Sequence, residues 1–186
     1  MRLFFYIIIF LTLISCSSKK ETVLSDSIVK KECLLVEQNF DILNLSSNEN
    51  ELSNTELKSF NASEFRYDVF FHYLIEGTNN YFLERWYVDD NNDWYHIQIK
   101  KDEKKVSKIV FNEEETLSLF GFFESKSYIQ DCKDCFGCKN YTLLIKKKGE
   151  QFKILANGNL FTDLRGNDKL KVEKYYNILQ YFQEKK

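Results

Sequence analysis

In the stretch DCKDCFGCKN, Cys132, Cys135 and Cys138 recur at three-residue spacing. Thiols spaced C-x-x-C ligate zinc, exchange disulfides or close structural bridges, and the compartment decides which chemistry applies. Four thiolates would suit a zinc ion if Cys33 joined the cluster, but Cys33 stands alone where zinc sites pair two such knuckles. Covalent haem needs C-x-x-C-H, and Lys139 stands where the histidine would be. A catalytic C-x-x-C usually opens a helix, whose dipole lowers the thiol pKa. Here a strand pattern, Tyr141 to Lys147, follows.

Compartment is read from the N-terminus. The chain opens with Arg2, an unbroken apolar run from Leu3 to Leu11, and a small residue before a cysteine. That is the order of a secretory signal, and the run is shorter than the roughly 20 residues of a membrane span. Leu13, Ile14, Ser15 and Cys16 resemble the lipobox of bacterial lipoproteins. The resemblance implies cleavage after residues 1–15 and lipidation of Cys16, the contact through which the chain would meet a membrane. Each buried methylene of such an anchor contributes about 0.8 kcal/mol. Ser17 in the second mature position implies outer-membrane sorting, on the periplasmic or the surface face. The expected location is therefore the cell envelope, lipid-anchored. The cysteine run is also similar to that of bacterial ferredoxins, but the fourth cysteine and following proline of that motif are missing.

Removing residues 1–15 leaves 171 of the 186 residues and shifts the formal net charge from −2 to −3, since Arg2 is lost. Four of the five cysteines remain: Cys33, Cys132, Cys135 and Cys138. An even count outside the cytoplasm favours disulfides, with three pairings open. A bridge from Cys33 to the cluster would close a loop of about 100 residues, worth up to about 4.7 kcal/mol in the chain-entropy model.

Other candidates are weaker. Asp89, Asn91 and Asp93 alternate as in a calcium loop, but Trp94 and Lys100 occupy the positions where an EF-hand places Gly and Glu, so the stretch reads as a hairpin turn. His72 and His96 fall on strands; paired strands would bring the rings together on an outer face. Trp86 and Trp94, with Tyr87 and Tyr95, flank the acidic turn and would form a stacking platform for a sugar or a protein. The sequence contains no Walker loop, GxGxxG, HExxH or serine nucleophile elbow. Near-neutral charge with interspersed lysines and acids argues against nucleic acid.

These residues need a scaffold. Residues 16–27 read as lipidated cysteine and polar tether, and 28–186 as one α+β domain. Residues 28–45 suggest a strand or short helix. Ser53 and Glu56 sit at capping-box spacing ahead of a helix through Phe60. From Phe65 the period turns to two, and four strands joined by Gly, Asn and Asp turns follow through Phe111. Asn112 caps a helix, a hairpin turns at Lys148-Gly149, and Val172, Tyr175, Ile178, Leu179 and Phe182 line one face of a C-terminal helix. Residues 95–110 and 141–156 echo each other, suggesting two hairpin-plus-helix units side by side. The expected fold is an antiparallel sheet of about six strands with helices on one face. The expected function is non-enzymatic binding of an envelope protein or glycan, with neither metal nor cofactor. The alternatives are a thiol- or metal-dependent envelope redox protein using Cys132, Cys135 and Cys138, and an immunity- or inhibitor-type lipoprotein.

Overall fold

The computed structural model describes residues 33–42, 51–75, 81–101, 103–132, 139–158 and 164–185. Cys16, the tether, Cys135 and Cys138 lie outside the described residues. Eight strands and three helices alternate along the chain: β1 Cys33–Glu37, α1 Glu51–Ala62, β2 Tyr67–Ile75, β3 Tyr81–Val88, β4 Trp94–Lys100, β5 Glu103–Ile109, α2 Glu113–Leu119, β6 Lys126–Cys132, β7 Lys139–Lys147, β8 Glu150–Asn157 and α3 Gly166–Glu184.

The architecture is α+β, with two corrections to the expected sheet. It has eight strands rather than six, in the order β1-β6-β8-β7-β2-β3-β4-β5, and its pairing is mixed, because β6 runs parallel to β8 while every other pair is antiparallel. The two further strands are β1, short and within the segment expected as a strand or short helix, and β6, an unexpected strand whose buried Gln130 disguises its alternation. β8 slots between β6 and β7 in the sheet.

Helices also cover both faces rather than one. On one face, Val69, Trp86, Trp94, Ile145, Phe152 and Ile154 pack against Val172, Tyr175, Ile178, Leu179 and Phe182 of α3. The predicted helical stripe is thus the buried one, as an i, i+3, i+4, i+7 pattern requires. Phe152 and Tyr175 stack face to face, and Tyr175 donates to the Glu124 carbonyl at 2.8 Å. On the opposite face, Leu57 and Phe60 of α1 join Phe70, Leu83, Ile97, Ile99 and Leu144.

The echo between residues 95–110 and 141–156 does not describe side-by-side units. β4–β5 and β7–β8 flank β2–β3, and Tyr95 stacks on Tyr87 on the α1 face while Tyr141 packs on Phe71 and Tyr73 on the α3 face. Alternating strands of similar composition match in letters without sharing a packing side.

Candidate functional site

The α1 helix is fixed by charge as well as by apolar contact. Arg85, on β3 and 1% exposed, donates to Asp68 Oδ1 from Nε at 2.9 Å and to Asp68 Oδ2 from Nη2 at 2.7 Å. Its Nη1 reaches Glu56 at 3.2 Å and Ser59 at 2.9 Å, both on α1. Lys104 also binds Glu56. Lys146 donates to the carbonyls of Phe60, Asn61 and Ser63 at the end of α1. Burial pulls the Lys146 ammonium below its ordinary pKa, with Asp68 opposing, and pushes the Asp68 carboxyl up against the pull of Arg85 and Ser63. A forked guanidinium matches a carboxylate in two bonds, so this cluster sets the seat of α1 on the sheet.

Beyond α1, no described helix covers the same face. Strand register places Val36, Ile129, Leu155, Thr142 and His72 in one row across β1, β6, β8, β7 and β2. The next row is Leu34, Asp131, Asn157, Asn140 and Leu74. Leu34 is 56% exposed and Val36 48%, whereas Phe70 and Leu144, one row away, are buried beneath α1. The rows from β6 to β2 floor a groove of about 400 Å³, its surface mostly apolar with amide, hydroxyl and imidazole groups and the Asp131 carboxylate among them. On the same face, Lys153 of β8 binds Asn39 Oδ1 and the Phe40 carbonyl in the segment after β1.

The groove is weakly charged. Burial drops the His72 pKa from 6.5 to about 4, so the ring is neutral near neutral pH. Asn157 donates to Asp131 Oδ1 at 3.1 Å and accepts from the Cys132 amide, tying the ends of β6 and β8 together.

Of the candidate cysteines, Cys33 and Cys132 are joined in a disulfide, and Cys132 is 3% exposed. Trp86 and Trp94 are not a surface platform: they are 0% and 8% exposed beneath α3, both against Phe182. Alternation carries Tyr87 and Tyr95 to the opposite face, where Phe65 completes a half-buried stack above Arg85.

His72 and His96 likewise sit on opposite faces. His96 meets the buried carboxylate of Glu84 at 3.2 Å and stacks on Trp86, with Gln98 and Gln183 also on Glu84. At the turn after β3, Asp89 Oδ1 accepts from the amides of Asn91 and Asp93, and Asn92 takes φ 62°, as a tight turn demands. Among the described residues no group of three or more His, Cys, Asp or Glu is placed to hold a metal. Sequence reasoning missed the Arg85 cluster and the open rows; Arg85 within an apolar strand was the one available signal.

No protein-family model, curated protein or solved structure matches this chain. The fold and site define an α+β domain in which, among the described residues, no helix covers one half of one sheet face.

Proposed function

We propose that the chain is a lipid-anchored cell-envelope protein, held at Cys16 in the outer membrane, that binds a protein or glycan partner on the open half of its sheet without chemical turnover. The groove of His72, Thr142, Leu155 and Asn140 carries this reading. Grooves that mix apolar side chains with mainly uncharged donors and acceptors suit recognition, since they bury surface while desolvating little charge; the one carboxylate, Asp131, is exposed and paired with Asn157. The lipobox resemblance supports the anchor, and the disulfide fits an oxidising compartment. The redox alternative has less support, because Cys132 is bridged and buried rather than held as an exposed thiolate. An immunity or inhibitor role would be one form of the same binding function.

Thr142→Arg and Leu155→Arg place charge on the groove floor. Both are expected to abolish partner capture in envelope cross-linking while leaving urea midpoints within experimental error of the parent. Labelled palmitate should enter the parent but not Cys16→Ala. Unchanged cross-linking in both arginine variants would remove the groove from the proposal, and absence of label in the parent would remove the anchor.

A further inference from the structure

We infer that β1 is an acceptor edge for an extended segment of a partner protein, which adds to the sheet as a further strand beside β1. The inference rests on the binding reading above and names its partner chemistry.

Among the described residues no strand lies beyond β1, and the orientation of its outer edge is deduced from register. Cys33 lies opposite Cys132 with Cα atoms 4.0 Å apart, the short spacing of a non-hydrogen-bonded antiparallel pair. Cys33, Leu35 and Glu37 therefore turn their N–H and C=O groups away from β6, toward the outside of the sheet. Two contacts agree. The amide of Gln38, on the alternate parity, bonds inward to the Ser127 carbonyl at 3.0 Å. The amide of Leu35 points outward and meets the Asp168 carboxylate at 3.4 Å.

The two edges of the sheet differ in chemistry. β5, at the far edge, carries Glu103, Lys104, Lys105 and Lys108 in seven residues, the charged guard that keeps strands from adding. β1 reads CLLVE, with Leu34 and Val36 both exposed and its single charge at the end. Leu34 and Val36 also continue the two open rows of the groove. A guest strand therefore gains ladder hydrogen bonds from Leu35 and Glu37, and contacts for apolar residues at alternate positions, the two components of strand addition. The disulfide holds β1 to β6 while a guest pulls on its other side.

Asp168 is the gate. Its second oxygen is held by Lys171 at 2.7 Å, and its carboxylate occupies the place where a guest carbonyl would accept from Leu35.

A random heptapeptide library panned against the full-length lipidated protein in detergent tests this. Selected peptides are expected to alternate apolar and polar residues. Their affinity should fall at least tenfold with Glu37→Pro, which deletes one outward amide and leaves the β1–β6 ladder intact, and likewise with Val36→Lys. Asp168→Ala should raise affinity severalfold, and Lys105→Ala on β5 should change nothing.

Peptides that bind Glu37→Pro and Val36→Lys as tightly as the parent overturn the inference, as does the absence of selected peptides. A dimer seen by light scattering and dissolved by Glu37→Pro also overturns it, assigning the edge to a second copy of the chain. Sensitivity to Thr142→Arg and Leu155→Arg with silent edge variants retains the groove and discards the acceptor edge. The reverse pattern retains the edge alone.

Discussion

Cys33 and Cys132 face each other directly across the β1–β6 ladder, joined by a bridge that spans 99 residues of chain. The bridge ties the first described strand to the strand that ends at the cysteine run. Replacing both residues with alanine frees that loop in the unfolded state. Urea denaturation should show a loss approaching about 4.7 kcal/mol. A loss under about 1 kcal/mol would mean that the loop is already constrained in the unfolded chain.

Arg85 compensates both Asp68 and Glu56 in a nearly water-free site. Arg85→Met leaves the buried Asp68 without its paired guanidinium and Glu56 with Lys104 alone, and removing one side of a buried pair costs about 3–5 kcal/mol. The expected result is a urea midpoint lowered far more than by Arg66→Met, whose pair with Glu113 is exposed and worth about 0–1 kcal/mol. Equal midpoints for the two variants would contradict the assigned seat of α1.

Phe182 touches Trp86, Trp94, Phe111 and Phe120 at once. Phe182→Ala is expected to cost about 3–5 kcal/mol and to shift tryptophan emission to the red as water reaches both indoles. Leu170→Ala, on the exposed side of the same helix, should stay within about 0.5 kcal/mol.

His72 has its folded pKa lowered from 6.5 to about 4 by burial. Its unfolded form therefore binds a proton where the folded form does not. Stability from this residue is complete above pH 6.5, falls as pH drops from 6.5 to about 4, and levels below. The difference between the two pKa values bounds the effect at about 3 kcal/mol. His72→Gln should flatten this segment of the stability profile relative to the parent; superimposable profiles would show that the ring titrates as in water.

Much of the fold was legible because two periods are local signals. Tyr67, Val69 and Phe71 alternate over β2, and Val172, Tyr175, Leu179 and Phe182 recur at helical spacing on α3; both sets are buried as read. Asn112 caps α2 through its side chain at 2.9 and 3.3 Å. The site was hardly legible. Trp86 and Tyr87 are adjacent letters, yet one lies under α3 and the other beside Arg85 on the opposite face. A strand's alternation gives its two sides without saying which side receives which helix.

The sequence alone determined six of the eight strands and the three helices, that α3 must bury its apolar stripe, and that four cysteines follow Cys16. Local sterics and hydrophobic period suffice for these, since each depends on residues within a turn or two of one another. Only the tertiary structure decided that Cys132 is the sulfur facing Cys33, that β8 inserts between β6 and β7, and that His72 and Thr142 line the groove while Leu144 is covered by α1. Those outcomes follow from register and neighbour choice across long stretches of chain. Pairing energies there are collective, so no short stretch of sequence encodes them.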